Sequence, residues 1–404
     1  MRIALFSNLF PPVVSGSSTQ VEGLARALVA DGHEVLVVTS RIDSAWPTFE
    51  QRDGYAVLRL PAWHLPRAAI ALNFPWLNSV LRPSNLRRAL LALRDFAPDV
   101  LHIHNHMFDM AFVAGYVARR LAKPTVLTVH TVIRHSTPAF DRVLVPVDRY
   151  FLGPAVVRRV DLVLSPDAEV QRYVQESFGD VPQRLVRYGI DEPPPIDTAA
   201  VTALRRRYGL DDDQDVIVSV GHCHALRDRR DLIHAMPAVL RRRPRTVLCI
   251  VGSVGVDGPR RWCRELDIER QVIFTDAVPH DAVYTHLGLG DIECHWLNNQ
   301  EPEKTSLGVA SLEAMLLGKV VVAAASAAAY GEGVFAAGRE FVFVKPHQPE
   351  ALADELLRLL EQPERRREIG ERAQKAVHSH FGWASVCRAT VAAYEDAQRL
   401  FGRR

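Results

Sequence analysis

The chain has 404 residues, 49 Lys+Arg against 47 Asp+Glu, and 48% hydrophobic residues. That length calls for two or three domains and buries enough core to need no metal or disulfide staple. A formal charge of +2 excludes a general nucleic-acid binder, which carries a strong basic excess.

The five cysteines, Cys223, Cys249, Cys263, Cys294 and Cys387, are odd in number and form no CxxC, the usage of a reduced, cytoplasmic protein. The first residues, Met1 to Phe6, reach Asn8 and two prolines too soon for a signal peptide. The longest weakly polar run, Val320 to Tyr330, falls far short of the roughly 18–20 residues that span a bilayer.

In chain order, Ile3–Ser7 reads as a strand. Thr19 to Asp31 follows as a helix, with Val21, Leu24, Ala25, Leu28 and Val29 at helical spacing and Gly32 closing it. Further strands are expected at Val35–Ser40, Val100–His104, Thr125–His130, Leu162–Ser165 and Leu185–Arg187. The segment Gly189-Ile-Asp-Glu-Pro-Pro-Pro195 is a proline-rich interdomain break. The pattern then restarts with Val216–Val220, Thr246–Val251, Val272–Thr275, Ile292–His295, Val320–Ala323 and Phe341–Val344, and from Pro349 onward it is helical. This alternation predicts an α/β protein with two Rossmann-like doubly wound domains, residues 1–190 and 191–380, facing across a cleft. The arginine triplets at 205–207, 241–243 and 365–367 read as solvated helix faces.

Three segments carry chemistry. The loop Asn8 to Thr19, with Gly16 before a helix, suits a phosphate held by backbone amides and the helix dipole, although it has no GxGxxG. The segment Gly221-His222-Cys-His-Ala-Leu-Arg227-Asp-Arg229-Arg230 ends a strand in arginines, fixed donors for an anion. The segment Glu301-Pro-Glu303-Lys304-Thr305-Ser-Leu-Gly308 leads into a helix that carries Glu313, where an acidic side chain reaches a polyol or simply complements the dipole.

Together these segments resemble a family 4 glycosyltransferase of the GT-B fold. The ordered motifs are Pro11-Pro12…Ser15-Gly16, Pro98-Asp99…His104-Asn105, Pro124-Thr125…His130, Tyr188-Gly189-Ile190-Asp191, Val220-Gly221 ahead of Leu232-Ile233, Gly308 through Gly318, and Phe381-Gly382-Trp383. The resemblance implies retaining transfer from a nucleoside-diphosphate sugar, which is a co-substrate, with no cofactor and no catalytic metal. It places Gly16 at the donor phosphates, His130 by the reacting sugar, Arg227 as the phosphate-binding cation and Glu313 on the nucleotide ribose. The helix over 381–404 resembles the element that returns to brace the N-terminal, acceptor-binding domain.

The chain departs from this pattern in three places. His222 stands where the family has Arg, Thr305 where it has the first of two glutamates, and Ser15 where it has the first of two glycines. One lost charged hydrogen bond costs roughly 1.5–3 kcal/mol, or on the order of 10–100-fold in donor affinity. Arg229, Arg230 or Lys304 is expected to offset the charge, and Glu301 or Glu303 to take over the sugar hydroxyls. Gly16, His222, Arg227, Thr305, Gly308 and Glu313 form the expected donor set.

Strand alternation would put His102, His104 and His106 on one face, a metal-site geometry or, in this family, the acceptor edge. Trp63 and Trp76 lie in an apolar, basic stretch running to Arg94, which suits an acceptor pocket or a peripheral membrane contact. The reading reached is transfer of a hexose or N-acetylhexosamine, from UDP in preference to GDP, to a hydroxyl of a small polar acceptor such as a natural-product precursor. The alternatives are a membrane-lipid acceptor, a nucleotide-sugar epimerase and a non-catalytic sugar-nucleotide-binding subunit.

Overall fold

The computed structural model describes residues 1–13, 15–65, 77–130, 132–133, 138–224, 227–295 and 305–403. The chain divides into two compact units, residues 1–189 with 383–404 and residues 190–382.

The first unit runs β1 (Arg2–Ser7), α1 (Gly16–Ala30), β2 (Glu34–Arg41), β3 (Phe49–Arg52), β4 (Tyr55–Pro61), β5 (Trp63–Leu65), β6 (Leu77–Ser79), α2 (Pro83–Phe96), β7 (Val100–His104), α3 (Met110–Leu121) and β8 (Thr125–Thr128). It continues with α4 (Pro138–Val147), a π-type turn Asp148–Leu152, α5 (Gly153–Val156), β9 (Leu162–Ser165), α6 (Ala168–Phe178) and β10 (Gln183–Leu185). The sheet order is β10-β9-β8-β7-β1-β2-β4-β3, parallel throughout except for β3. The β3–β4 hairpin turns on Asp53 (φ 48°) and Gly54 (φ 85°), a two-residue Asp-Gly turn that needs positive φ at both positions.

Both sheet faces are covered, so β1 is apolar on both sides. Ala4 and Phe6 join the core under α2 and α3, whereas Ile3 and Leu5 join the core under α1. That second core is completed from the far end of the chain by α14 (Trp383–Phe401), through Val386, Cys387, Ala393, Tyr394 and Ala397. The Trp383 ring lies flat on two glycines. A Cβ on Gly23 would stand 1.9 Å from the indole, and one on Gly189 2.3 Å from it, so only glycine admits the ring.

The second unit holds α7 (Thr198–Arg207), β11 (Val216–Val220), α8 (Arg230–Arg242), β12 (Val247–Val251), α9 (Gly258–Glu265), β13 (Val272–Phe274), α10 (His280–Leu287) and β14 (Ile292–His295). It ends with α11 (Val309–Leu316), β15 (Val320–Ala323), β16 (Val342–Phe343), α12 (Pro349–Glu361) and α13 (Pro363–Phe381). Its sheet is wholly parallel, in the order β13-β12-β11-β14-β15-β16. Phe381 is buried in this unit's core and stacks on Phe335, while Trp383, two residues on, is anchored in the other unit. The Phe-Gly-Trp motif is thus a pair of anchors on either side of the chain's return.

Several expected bounds shift. α1 starts at Gly16, three residues earlier than its apolar periodicity indicates. Ser15 caps it, accepting from the Ser18 amide while Ser18 Oγ accepts from the Ser15 amide. β8 stops at Thr128, short of His130. The alternation of histidines ends at His104, because Asn105 has φ 70° and breaks the strand.

Candidate active site

In the second sheet the strand order reverses between β11 and β14, the switch point where doubly wound sheets bind ligands at their carboxyl ends. Gly221, just past β11, has φ +123°, and Gly252, just past β12, has φ +131°. A Cβ on Gly252 would lie 2.8 Å from the Gly221 carbonyl, so the two loops approach as only glycines allow.

Arg229 is fully buried behind this edge, with φ 61°. Its Nε donates to Ser219 Oγ (2.8 Å), Nη1 to the Arg227 carbonyl (2.7 Å), and Nη2 to the Val220 (3.1 Å) and Gly221 (3.0 Å) carbonyls. The expectation that Arg229 offsets a missing phosphate ligand is therefore corrected: its donors are spent on shaping the loop. Arg230 points elsewhere, its guanidinium 5.8 Å from the Trp262 ring centroid. Arg227 is half-buried on the edge itself, and burial, with Arg229 beside it, draws its pKa below the usual arginine value.

His222 is exposed, and its Nδ1 accepts from the Ser253 amide (3.3 Å) with Ser253 Oγ at 2.7 Å. An amide can only donate, so Nδ1 carries the lone pair and the neutral ring bears its proton on Nε2. The arginine position of the family is thus filled by a ring that offers an N–H outward.

Glu313, buried on α11, is gripped from α10. Tyr284 Oη donates to its Oε1 (3.2 Å), and His280 Nε2 lies 3.1 Å from the same oxygen. Burial raises its pKa, while His280 and Tyr284 oppose that shift. Gly308 caps α11, and a Cβ there would meet the His295 ring at 2.9 Å. Thr305 is buried, its carbonyl accepting from the Ser326 amide. Glu301, Glu303, Lys304 and Trp76 lie outside the described residues.

Two residues here escaped the sequence reading. Glu293, fully buried on β14, accepts from Ser311 Oγ (3.0 Å), and burial pushes its pKa up to about 7. His295 is also buried, held down to about 3 by burial and by the nearby Arg227 and Arg229, and neither ring nitrogen meets a hydrogen-bond partner among the described residues. Ionisable residues alternating with Ile292 and Cys294 inside a parallel strand were the available signal.

In the first sheet the switch point falls between β1 and β7. The Ser15 cap leaves the amides of Gly16 and Ser17 without intrahelical acceptors, and a Cβ on Gly16 would meet nothing within 4 Å. Beside this open helix start runs a chain of neutral rings. His102 Nδ1 pairs with Tyr394 Oη (2.8 Å) and its Nε2 with Thr128 Oγ1 (2.7 Å). His104 Nδ1 pairs with His130 Nε2 (2.9 Å), and His130 Nδ1 with Tyr188 Oη (3.0 Å). Burial lowers all three histidines, His102 to about 3 and His130 to about 4.

Tyr188 settles the protons. Its hydroxyl donates to the His130 carbonyl (3.0 Å), so Nδ1 of His130 must be the donor to Tyr188 Oη. Nε2 of His130 then accepts from His104 Nδ1–H, leaving His104 Nε2 as a buried lone pair without a partner among the described residues. His106 is corrected as an acceptor contact: it is fully buried, and its Nε2 is 2.8 Å from Asp148 Oδ1. Trp63 is exposed on β5, its ring 6.0 Å from the Arg82 guanidinium. Among the described residues no cluster of three or more His, Cys, Asp or Glu side chains is arranged to hold a metal ion.

Two Rossmann-like units in one chain, each with polar groups at its switch point, define the GT-B class of glycosyltransferase fold. Family models agree: "Glycosyl transferase 4-like domain" matches residues 15–189 and "Glycosyl transferases group 1" matches residues 201–376. The chain belongs to the family 4 glycosyltransferases.

It is similar to a D-inositol 3-phosphate glycosyltransferase of Kineococcus radiotolerans, 27% identical with 98% of this chain and 95% of the relative covered. It is also similar to a glycogen synthase of Mycobacterium tuberculosis, 26% identical with 99% and 95% covered. Among solved structures, Anabaena Alr3699/HepE in complex with UDP and glucose shares the fold, with a TM-score of 0.69, 17% identity and 98% and 99% of the two chains covered. Sucrose-phosphate synthase from Thermosynechococcus elongatus does so with a TM-score of 0.68, 20% identity and both chains fully covered at 100%.

Proposed function

We propose that this glycosyltransferase moves a hexose or N-acetylhexosamine from a nucleoside-diphosphate sugar, UDP in preference to GDP, to a hydroxyl of a small polar acceptor, with retention and without a catalytic metal. The observation that carries the reading is the edge of the second unit. Arg227 and the outward Nε2–H of His222 offer cationic and neutral donors to a diphosphate, and the Tyr284-held carboxylate of Glu313 suits ribose hydroxyls. In the first unit, the Gly16 and Ser17 amides at the start of α1 are suited to an anionic group.

In this reaction the bond from the anomeric carbon to the diphosphate breaks as the acceptor oxygen attacks from the same face. The acceptor proton passes to a leaving phosphate oxygen, so no enzymic nucleophile is required. His130, neutral and bonded through both nitrogens, serves as a fixed wall by the sugar and does not relay protons. His104 is buried behind that edge, and Trp63 is the exposed aromatic of the acceptor set among the described residues. A small polar acceptor agrees with the relative named for inositol 3-phosphate.

A membrane-lipid acceptor is the second reading, favoured by the exposed apolar surface over Val143–Phe151. The test is a thermal-shift screen of UDP, GDP and their sugars followed by transfer assays with EDTA. A bound nucleotide at 100 times its Kd adds about 2.7 kcal/mol to the folded state. No shift with any nucleotide sugar defeats the proposal, a shift without transfer favours a non-catalytic sugar-nucleotide-binding subunit, and epimerised donor in the absence of acceptor favours an epimerase.

A further inference from the structure

Residues 138–152 form one helical run, α4 leading directly into the π-type turn, and its polarity is inverted. Facing inward, at a spacing of four, are Leu144, Asp148 and Leu152. At the centre of this inner stripe sits a carboxylate: Asp148 is buried, 2.8 Å from His106 Nε2, and accepts from the Tyr173 hydroxyl. Facing outward are Val143 (60% exposed), Val147 (38%), Tyr150 (66%) and Phe151 (70%), at i, i+4, i+7 and i+8, with Val145 beside them.

An ordinary surface helix buries its apolar stripe and exposes its charges. Here the bonds of Asp148 pin the opposite orientation. Five of the eleven exposed large hydrophobics among the described residues fall within these nine positions. The cations Arg142 and Arg149 are exposed along the stripe, the second with its guanidinium 5.9 Å from the Tyr150 ring centroid, and between 142 and 151 no acid is exposed.

We infer that Arg142–Phe151 is a docking surface for an anionic lipid bilayer. Val143, Val147, Tyr150 and Phe151 enter the boundary between headgroups and acyl chains, while Arg142 and Arg149 meet lipid phosphates. Aromatic rings with one wet edge favour that boundary. A second copy of the chain is a poorer occupant, because symmetric pairing of this patch would set its arginines against one another. The inference concerns where the enzyme works and holds for either acceptor.

The experiment is cosedimentation of the full chain with phosphatidylcholine vesicles with and without phosphatidylglycerol. Binding is expected to the anionic vesicles and to fall with added salt. The double variants Tyr150→Ser/Phe151→Ser and Arg142→Gln/Arg149→Gln should each lower partitioning about tenfold or more. Their melting temperatures and nucleotide-induced thermal shifts should stay unchanged, which separates failure here from failure of the donor assignment. No partitioning of the parent chain, or equal partitioning of parent and variants, overturns the inference. So does self-association in ultracentrifugation that Tyr150→Ser/Phe151→Ser abolishes without vesicle binding, which would give the patch to a second copy.

Discussion

The Tyr188 hydroxyl holds His130 at two points, 3.0 Å from its carbonyl oxygen and 3.0 Å from its Nδ1. One hydroxyl thereby decides the tautomer of a ring 58 positions away and, through it, that of His104. In Tyr188→Phe the Nδ1–H has no acceptor, and a flipped His130 would turn Nε2–H against the His104 donor. The variant is expected to lose about 1–2 kcal/mol of stability and roughly tenfold in kcat, with the donor KM little changed. Urea melts and steady-state kinetics measure the two effects.

Acid should unfold this protein through its histidines. His102 titrates at about 3, His130 at about 4 and His295 at about 3, against 6.5 in an unfolded chain. Between those values the unfolded state binds more protons, so the histidines' contribution to stability is full above about pH 6.5 and is lost as pH falls toward 4. The urea midpoint of the parent is expected to drop between pH 7 and pH 5. His102→Gln, which keeps side-chain hydrogen-bonding capacity but cannot titrate, should show a shallower drop.

Glu293 has the opposite sign. Its folded pKa of about 7 exceeds the usual 4.5, so the fold holds a proton that the unfolded chain releases. Its contribution is present below about pH 4.5 and is lost as pH rises through 7. Glu293→Gln should therefore gain stability relative to the parent between pH 6 and pH 8, by about 1–3 kcal/mol. Denaturant titrations at the two pH values test the sign directly.

Arg227 and Arg229 are two residues apart, but the first is half-buried and the second fully buried with four acceptors. Arg227→Ala is expected to lower transfer at least tenfold with unchanged folding, the loss of one charged contact to the diphosphate. An unaffected rate would remove Arg227 from the donor site. Arg229→Met should instead cost about 3 kcal/mol or more, because it strands the Val220, Gly221 and Arg227 carbonyls. Circular-dichroism melts alongside the transfer assay separate the two.

Much of the fold was legible because local chemistry and tertiary context agree. The runs at Leu162–Ser165, Val216–Val220 and Val320–Ala323 are buried on both faces, and such strands announce themselves by their near-continuous apolarity. The β3–β4 hairpin is not legible although Asp53-Gly54 marks its turn, because edge strand Phe49–Arg52 is polar at three of its four positions and has no such run. The start of α1 was placed late because Gly16, Ser17 and Ser18 carry no apolar periodicity, and the cap at Ser15 sets that boundary.

Site residues divide along the same line. Motif order and spacing singled out Gly16, His130, Arg227, Gly308 and Glu313, since chain order and residue type survive in one dimension. What each side chain bonds was decided by partners brought to it by folding: Tyr188 for His130, Asp148 for His106 and Tyr284 for Glu313 from far away in sequence, and four acceptors within ten positions for Arg229. Hydrogen-bond capacity is a property of the residue, but whether a donor is spent or offered depends on what folding brings within about 3 Å of it. The sequence alone therefore determined two doubly wound domains and the glycosyltransferase family, and the tertiary structure decided which of the neighbouring arginines and histidines had their hydrogen bonds already taken.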